Sequence, residues 1–412
     1  MIRAVRRYRR DAMAADVSTD LLVVGAGPAG SATAITAARL GLRVTIVDKA
    51  VFPRDKACGD GLTAAALRLL ERLGLELGAL PTYASVRETV LVLPTGCRIT
   101  LPLPHDGEFA GIVPRAELDV ALVDVARGAG ATVRDGAALT ALADDDEGIS
   151  AELADGATVR ARWVVGADGH YSAVRRSLRP GGPPDLGAGT AFRQYFRGVD
   201  DPRVWVLFEK DLLPGYAWVF PLPGGRANVG FGMERGPGVT GKMLNAKWRE
   251  LLERPSMRAV LGDRAEPEEP HRAWPLPTDF RRADLAIGHA LFVGDAAAVV
   301  DALTGEGIAQ ALETGMLAAR AVAGGGPADT VRKRYRRNVM RALRTDARLA
   351  ELLQIGLRTP LRVRATLRLV RLTPWTRRNF ARWMWEDYPH AVLLTPRRWH
   401  RGMFGGPGAY RR

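Results

Sequence analysis

A glycine-rich turn near the start of the chain has the composition and spacing of a phosphate-binding site. Gly25, Gly27 and Gly30 complete a G-x-G-x-x-G pattern, with Pro28 and Ala29 between the last two glycines. Gly25 permits a tight turn, Gly27 lets the backbone approach a pyrophosphate, and Gly30 lets a helix pack closely on a strand. The pattern lies between an apolar strand and a small-residue helix, whose N-terminus offers free N–H groups to a phosphate. It therefore predicts a dinucleotide site rather than a purely structural turn.

An acidic residue at the end of the next strand fits the same ligand. Asp48 closes the apolar strand predicted over residues 43–47, and Lys49 follows it. In a βαβ unit of about thirty residues, a carboxylate at this position accepts hydrogen bonds from a ribose. We therefore include Asp48 and Lys49 among the predicted cofactor-binding residues.

A second glycine-flanked turn occurs late in the chain. Gly294 and Asp295 follow an apolar strand, and Gly305, Gly307 and Ile308 come at the start of a helix predicted to run to about residue 323. A carboxylate at a strand end can bind the hydroxyls of a cofactor, and the free N–H groups of the helix can bind an electron-rich ring edge. The alternative is that Asp295 only caps the N-terminus of a helix.

Three further side chains are candidate catalytic residues. Cys58, followed by Gly59, lies just after the βαβ unit, where a thiol can relay protons beside a cofactor or serve only as a small residue in a tight turn. Tyr216, Trp218 and Phe220 alternate along a predicted strand, so they point to one face and can line an apolar substrate site. Tyr216 can supply a proton or simply pack and hydrogen-bond locally. Cys97 is interpreted as a packing residue.

The bulk composition excludes several classes of protein. With 412 residues and only two cysteines, the chain is large enough for several lobes, has no disulfide framework and fits a reducing cytoplasm. Histidines and cysteines show no metal-ligand spacing, so we predict no metal site. The net charge of +14 is typical of binding to anions or of a GC-rich genome. Because no recognisable nucleic-acid-binding module accompanies that charge, nucleic acid is not an expected partner.

The elements predict a discontinuous α/β protein. The expected cofactor-binding domain comprises residues 17–75, 105–180 and 285–330, and it is interrupted by an antiparallel β-sheet domain comprising residues 76–104 and 181–284. Strand patterns broken by turns over residues 189–233 indicate an antiparallel meander. Residues 1–16 are expected to be a disordered basic extension or an over-called start, and residues 331–412 a helical region rich in arginine and tryptophan.

The C-terminal region has two interpretations. Residues 357–372 combine arginines with leucines and valines, and Pro360 can occupy the first turn of a helix. A basic amphipathic helix followed by Trp375, Trp383, Trp385 and Trp399 can bind an anionic membrane surface. The alternative, that this region caps the substrate cavity, is compatible with the first.

Taken together, the motifs resemble those of a known superfamily. The Gly25–Gly30 turn, the Gly166-Ala-Asp168-Gly169 segment and the Gly294-Asp295-Ala-Ala turn are similar to the three signatures of the para-hydroxybenzoate-hydroxylase-like flavoproteins. Arg115 resembles the cofactor-contacting arginine of that group. This resemblance implies FAD as cofactor, with Arg115 and Asp168 among its ligands, and a twisted β-sheet lobe over the flavin.

Two further segments resemble a narrower group, the geranylgeranyl reductases. Residues 53–61 (PRDKACGDG) and residues 216–221 (YAWVFP) are similar to the signature segments of that family. The resemblance implies reduction of C=C bonds in isoprenoid chains, such as geranylgeranyl groups or menaquinone, by hydride transfer from reduced FAD. Pro214 and Ala302 depart from the usual family pattern near the expected substrate pocket.

Two functions and several electron sources remain open at this stage. The alternative to a prenyl reductase is an FAD-dependent monooxygenase or halogenase-like enzyme, because the same fold hosts that chemistry. Only one dinucleotide fingerprint occurs, so electrons are expected from NADPH that docks transiently or from an electron-donor protein. The expected location is the cytoplasm, with peripheral membrane contact through the C-terminal region as an option.

Overall fold

The glycine turn follows a strand of a parallel sheet, and a second sheet lies on the other side of the loops that are predicted to bind the cofactor. The computed structural model describes residues 17–179, 187–236, 238–396 and Trp399; the segment expected to be a disordered extension lies outside these residues. The strands, numbered along the chain, are β1 (Val17–Val24), β2 (Val44–Val47), β3 (Gly61–Thr63), β4 (Ala84–Ser85), β5 (Glu88–Val92), β6 (Arg98–Pro102), β7 (Ala110–Ile112), β8 (Thr132–Arg134), β9 (Leu139–Asp145), β10 (Gly148–Leu153), β11 (Thr158–Gly166), β12 (Gly189–Arg197), β13 (Val204–Leu207), β14 (Tyr216–Leu222), β15 (Arg226–Glu234), β16 (Glu266–Pro267), β17 (Arg272–Leu276), β18 (Ala286–Ile287) and β19 (Ala290–Phe292).

Among the described residues, six helices lie between strands along the chain and four follow the last strand. They are α1 (Pro28–Arg39), α2 (Ala64–Arg72), α3 (Arg115–Gly128), α4 (Ala173–Leu178), α5 (Gly241–Glu253), α6 (Pro255–Leu261), α7 (Ile308–Ala323), α8 (Ala328–Gly356), α9 (Pro360–Val370) and α10 (Pro374–Met384). Within the described residues, no helix is long and apolar enough to span a bilayer.

The first sheet has the parallel order β19-β11-β1-β2-β8. Its central strand β1 is buried on both faces: Leu21, Leu22 and Val23 have no exposed surface. Strands with both faces covered read as continuous apolar runs, which is why β1 could be recognised from sequence. The parallel sheet with helices between its strands confirms the predicted Rossmann-type lobe.

The second sheet has the order β16-β12-β15-β14-β13-β5-β6, with β17 also paired to β12. The consecutive strands β13, β14 and β15 form an antiparallel meander within the range predicted for one, residues 189–233. Strand β12 of the same range pairs with β15 rather than with β13, so the meander does not extend over the whole range. The chain segment of β5 and β6 joins this sheet, as expected, although β5 runs parallel to β13. The domain boundaries themselves remain a prediction.

Helices α5 and α6 within the second lobe were not predicted. Leu244, Trp248 and Leu251 on α5 are buried against the sheet, and Trp248 stacks on Phe231 of β15. Their i, i+4, i+7 spacing after Thr240, whose hydroxyl accepts a hydrogen bond from Met243 N, is a helical signal that the strand-rich context obscured.

The C-terminal helices pack against the second sheet. Helix α9 begins at Pro360 after the cap Thr359, and its buried side chains Val363, Leu367 and Val370 join one apolar cluster with residues of β5 and β6. The described part of the region predicted to be helical is thus helical, and it covers the sheet as the capping interpretation expected.

Helices α1 and α7 approach each other with no space for a side chain between them. A Cβ added at Gly315 on α7 would lie 2.3 Å from the carbonyl oxygen of Ala29 and 2.9 Å from Thr33 Oγ1. This close approach holds helix α1, which begins at the glycine turn, against helix α7, the helix predicted late in the chain.

We expect Gly315→Ala to destabilise the protein by about 1–3 kcal/mol, because overpacking forces the two helices apart. The matched control is Gly128→Ala at the end of α3, where an added Cβ meets nothing within 4 Å. The control should be neutral or slightly stabilising, since alanine favours a helix. Thermal and urea unfolding measure both changes, and equal stability of the two variants would contradict the packing argument.

Candidate active site

A cavity with a volume of about 1360 Å³ extends from the glycine turn, past the inner face of the second sheet, to helices α8, α9 and α10. All but one of the residues predicted to form the site line this cavity: Gly25, Gly27, Pro28, Ala29, Asp48, Lys49, Cys58, Gly59, Arg115, Asp168, Tyr216, Trp218, Phe220, Gly294, Asp295, Gly305, Gly307 and Ile308. The exception is Gly30. A Cβ there would lie 1.8 Å from the carbonyl oxygen of Gly25, so Gly30 permits the close packing of α1 that its position predicts.

The glycine turn is held by the carboxylate of Asp48. Ala26 N donates to Asp48 Oδ2 at 2.7 Å, and Ala50 N donates to Oδ1 at 2.9 Å. Gly25 has a φ of +101°, a conformation that favours glycine, and a Cβ there would lie 2.4 Å from the carbonyl oxygen of Ala167. Asp48 thus positions the turn, and its remaining lone pairs can still accept hydrogen bonds from a ribose.

Two arginines converge over the middle glycine of the turn. A Cβ built on Gly27 would lie 3.4 Å from the Nη2 atoms of both Arg54 and Arg115. Arg115 forms a two-pronged hydrogen bond with Asp119, with both distances 2.8 Å. Arg54 Nη1 lies 3.0 Å from Asp119 Oδ2 but is not aligned for a hydrogen bond, so this buried donor has no hydrogen-bond partner among the described residues. Arg54 lies in the segment 53–61 but was not among the predicted cofactor-binding residues.

This geometry fits the pyrophosphate of a dinucleotide. The two guanidinium groups and the N-terminus of α1 present positive charge and N–H donors to one small volume that lacks a side chain at Gly27. Further along the cavity, the buried Oδ1 of Asp168 also has no hydrogen-bond partner among the described residues. Its Oδ2 accepts hydrogen bonds from Ala173 N at 2.6 Å and Val174 N at 3.2 Å. A buried donor and a buried acceptor that lack hydrogen-bond partners among the described residues, both along one cavity, are typical of a polar ligand site.

The late turn is connected to the early motif by an ion pair. Asp295 caps no helix, so the alternative interpretation of that residue is wrong. Its Oδ2 lies 3.3 Å from Nζ of Lys56, and the same ammonium group lies over the ring of Trp274, 4.4 Å from its centroid. Asp295 is thus oriented into the cavity, where it can accept hydrogen bonds.

Asp60 is the buried centre of a hydrogen-bond network that was not predicted from the sequence. It has a φ of +63°, and its Oδ2 accepts hydrogen bonds from Tyr195 Oη at 2.5 Å and Asn228 Nδ2 at 2.7 Å. Asn228 in turn accepts from Trp218 Nε1 at 2.9 Å. Burial raises the pKa of Asp60 to about 6, although the bonds from Tyr195 and Asn228 oppose this. The network fixes the loop that carries Cys58 against the second sheet.

The predicted catalytic side chains carry neutral, buried groups. Burial raises the pKa of the Cys58 thiol, and its Sγ accepts a hydrogen bond from Asp60 N at 3.3 Å. Burial also raises the pKa of Tyr216, whose hydroxyl donates to the carbonyl oxygen of Thr304. Both groups therefore keep their protons at neutral pH, and Tyr216 directs its proton to the backbone.

Aromatic rings form one wall of the cavity. Tyr216, Trp218 and Phe220 follow one another with ring centroids 6.2 and 6.1 Å apart, and Trp385 from the C-terminal segment lies 6.3 Å from Phe220. Gly230 on β15 leaves room for the indole, since a Cβ there would lie 2.3 Å from Trp218 Cζ2. The wall faces the Cys58 loop, because a Cβ on Gly59 would lie 3.6 Å from Phe220.

The chain has informative relatives. Residues 18–324 match the family model described as FAD binding domain. The menaquinone reductase of Mycobacterium tuberculosis is 36% identical over 322 residues, which cover 74% of this chain and 77% of the relative. Digeranylgeranylglycerophospholipid reductase 1 of Methanopyrus kandleri is 36% identical over 312 residues, covering 73% of this chain and 79% of that protein. Among solved structures, a geranylgeranyl bacteriochlorophyll reductase-like protein from Thermoplasma acidophilum shares the fold with a TM-score of 0.76 and 22% identity, over 93% of this chain and 100% of that one.

We expect Arg54→Met to weaken FAD binding by about 10- to 100-fold, since a hydrogen bond to a charged group contributes about 1.5–3 kcal/mol. The control is Arg127→Met, which removes an exposed pair with Asp124 far from the cavity. Titration of the apoprotein with FAD, followed by flavin fluorescence, measures both affinities. An unchanged affinity in the Arg54 variant would exclude this arginine from the cofactor cradle.

Proposed function

The chain belongs to the geranylgeranyl reductase family of FAD-dependent oxidoreductases, and from that premise we propose that it reduces C=C bonds in an isoprenoid chain. The observation that carries the proposal is the aromatic wall of Tyr216, Trp218, Phe220 and Trp385, which faces the Cys58 loop inside the same cavity as the dinucleotide cradle. The names of its relatives, menaquinone reductase and digeranylgeranylglycerophospholipid reductase, support a prenyl chain as substrate.

The residues around the cavity suit successive parts of FAD. We assign the pyrophosphate to Arg54, Arg115 and the N-terminus of α1, the ribose to Asp48, and the ribityl hydroxyls to Asp295. We assign the flavin ring to the start of α7, where Gly307 and Ile308 line the cavity and the positive end of the helix dipole lies. Bound there and reduced, FAD supplies the hydride for the reaction.

The remaining apolar space suits the substrate. An isolated alkene has no carbonyl to polarise it, so its reduction depends on close alignment with the hydride source and on a proton donor. The aromatic wall and the cavity-lining residues Leu353, Val363 and Leu367 can hold an apolar chain by burial. Tyr216 closes this space toward the cofactor loop through its hydrogen bond to Thr304.

Electrons for the flavin come from outside this chain in our proposal. Of the two G-x-G-x-x-G matches in the sequence, residues 25–30 and residues 236–241, the first lies in a βαβ unit, and we assign it to the FAD site. The donor is therefore NADPH that docks transiently or an electron-donor protein.

A membrane surface supplies the lipid substrate in this proposal. Leu361, Leu369, Leu372 and Trp375 are between 54% and 74% exposed, and the exposed arginines Arg364, Arg368 and Arg371 lie among them. Ala365 and Thr366 on α9 are exposed and also line the cavity, so the cavity opens at this helix. Apolar side chains beside cationic ones favour the surface of an anionic bilayer, and a prenyl chain can pass from there into the cavity.

The first test of this function is a single-turnover reaction without oxygen. The purified flavoprotein is reduced anaerobically and mixed with menaquinone or a geranylgeranyl lipid, and the product is analysed by mass spectrometry. We expect a product heavier by two hydrogens together with reoxidation of the flavin. A product that forms only with oxygen and carries an added oxygen atom would instead establish the monooxygenase alternative.

The second test concerns the membrane surface. Replacing Leu361, Leu369 and Leu372 by serine should reduce flotation with anionic phospholipid vesicles at least tenfold, because the three leucine side chains no longer enter the lipid interface. The control replaces Leu40 and Met243, exposed apolar residues elsewhere, by serine. Equal flotation of both variants and the wild type would contradict docking through α9.

A further inference from the structure

A partly buried carboxyl group, that of Glu306, and a buried one, that of Glu386, lie where the C-terminal segment meets the loop before α7. Glu306, in that loop, lines the cavity, and its Oε1 accepts hydrogen bonds from Ile308 N at 3.0 Å and Ala309 N at 2.9 Å. Glu386 approaches from the segment after α10, and its Oε2 accepts from Thr63 Oγ1 at 2.8 Å. The two carboxyl groups come from positions 80 residues apart in the numbering and share one buried region.

Glu386 is held in place by an unusual backbone. Its φ is +54°, a conformation that is costly for a residue with a side chain, and Arg68 donates to the carbonyl oxygens of Glu386 at 2.9 Å and Asp387 at 3.0 Å. A strained residue that turns a carboxyl group inward needs such support, and strain of this kind concentrates at functional sites.

Other groups around the pair set its charge. His390 Nδ1 lies 3.7 Å from Asp301 Oδ2. Burial opposes the charge of His390, but Asp301 and Glu386 raise the pKa of His390 to about 9, so the imidazole is cationic near neutral pH. Burial would raise the pKa of Asp301, yet its bonds with His390 and Thr304 lower it overall. The positive charge of His390 therefore balances the negative charge of Asp301. The carboxyl groups of Glu306 and Glu386 are left to compete for a proton.

The carboxyl pair holds a proton near neutral pH. Burial, and next the negative charge of Glu386, raise the pKa of Glu306 to about 8, while burial also raises the pKa of Glu386. Two carboxyl groups in one buried region cannot both be ionised without a large cost in free energy, because their negative charges repel each other. Nearby, His390 Nε2 and Gln310 Oε1 are buried without a hydrogen-bond partner among the described residues, which leaves polar groups for water to bridge.

Three groups that face this part of the cavity can donate a proton, and they differ in acidity. Tyr216 donates its proton to the Thr304 carbonyl, and burial raises the pKa of Tyr216 far above neutrality. Burial also raises the pKa of Cys58 above its ordinary value. A general acid works best when its pKa is close to the working pH, and among these three groups Glu306 meets that condition. Asp60 also lines the cavity with a raised pKa, but both of its carboxyl oxygens already accept hydrogen bonds, Oδ1 from Arg115 N and Oδ2 from Tyr195 and Asn228.

We propose that Glu306 is the general acid of the reduction and that Glu386 is its positioning partner, a role that rests on the function proposed above. In the reaction, one alkene carbon accepts a hydride from reduced FAD, and the other carbon accepts the proton of the Glu306 carboxyl group. Three bonds break: the C=C π bond, the N–H bond of reduced FAD that carries the hydride, and the Glu306 O–H bond. Two C–H bonds form, and the two electrons of the hydride pass from FAD to the alkene, which leaves FAD oxidised. The Glu306 carboxylate then regains a proton from water.

The test is the pH dependence of alkene reduction by the prereduced holoenzyme in anaerobic stopped-flow experiments. The wild-type rate should be high below about pH 8 and fall above it, because the acid must carry its proton. Glu306→Gln should slow the reaction about 10²-fold or more and abolish this alkaline decrease, whereas Glu306→Asp should retain the decrease. Reoxidation by ferricyanide, which needs no proton donor, should remain at the wild-type rate.

Further variants separate a proton-transfer role from a structural one. Glu386→Gln removes a negative charge next to Glu306, which lowers the pKa of Glu306, so the decrease should move to lower pH. Glu234→Gln, a change at another cavity-lining glutamate, should leave the decrease where it is. Tyr216→Phe and Cys58→Ser should keep the decrease, whatever they do to the rate.

An infrared measurement decides the point without turnover. In the holoenzyme, the C=O band of a protonated carboxyl group should titrate near pH 8 and be absent from Glu306→Gln. A wild-type rate and pH profile in Glu306→Gln, or an unchanged band, would overturn the proposal. If the wild type reduces no alkene at all, the proposed function fails, and the infrared band still shows whether Glu306 holds the proton.

Discussion

The site depends on the charged residues of one short segment, residues 53–61, each of which is paired with a different part of the protein. Arg54 lies at Asp119 on α3, Asp55 accepts two hydrogen bonds from Arg193 on β12, and Lys56 pairs with Asp295 after β19. Asp60 completes the set through its buried bonds to Tyr195 and Asn228. Because buried charges are costly unless they are paired, these contacts hold the two sheets at a fixed spacing around the cavity.

This arrangement joins the glycine turn and the aromatic wall through one segment. Arg54 at its start lies beside Gly27, and Gly59 and Gly61 at its end lie against Phe220. A change in the segment therefore affects both parts of the cavity. Cys58, between these two ends, is positioned by its neighbours, since Asn228 Nδ2 donates to its carbonyl oxygen at 2.8 Å.

Much of the cofactor half could be predicted from sequence because its constraints are local. Gly25 has a positive φ, and Gly30 lies against the carbonyl oxygen of Gly25 within the same turn, so these requirements leave a fixed spacing in the sequence. Tyr195 and Asn228 left no such trace, since they meet Asp60 from 135 and 168 positions away. Arg54 was overlooked for a different reason: its role follows from the distance to Gly27, which sequence spacing does not give. The basic helix expected within residues 357–372, with Pro360 in its first turn, is α9 (Pro360–Val370), but its contact with the aromatic wall could not be predicted without tertiary structure.

The position of Trp385 has a consequence for the order in which the protein is assembled. Its backbone carbonyl accepts a hydrogen bond from Ala64 N at 2.8 Å, and its indole donates to Thr89 at 3.0 Å. Two early elements therefore form these hydrogen bonds only after the ribosome has added a residue about three hundred positions later in the chain. The predicted cofactor-binding residues, up to Ile308, are all synthesised before Trp385, which completes the aromatic wall. The apolar side of the cavity therefore stays open during synthesis until the C-terminal segment arrives and shields that surface from water.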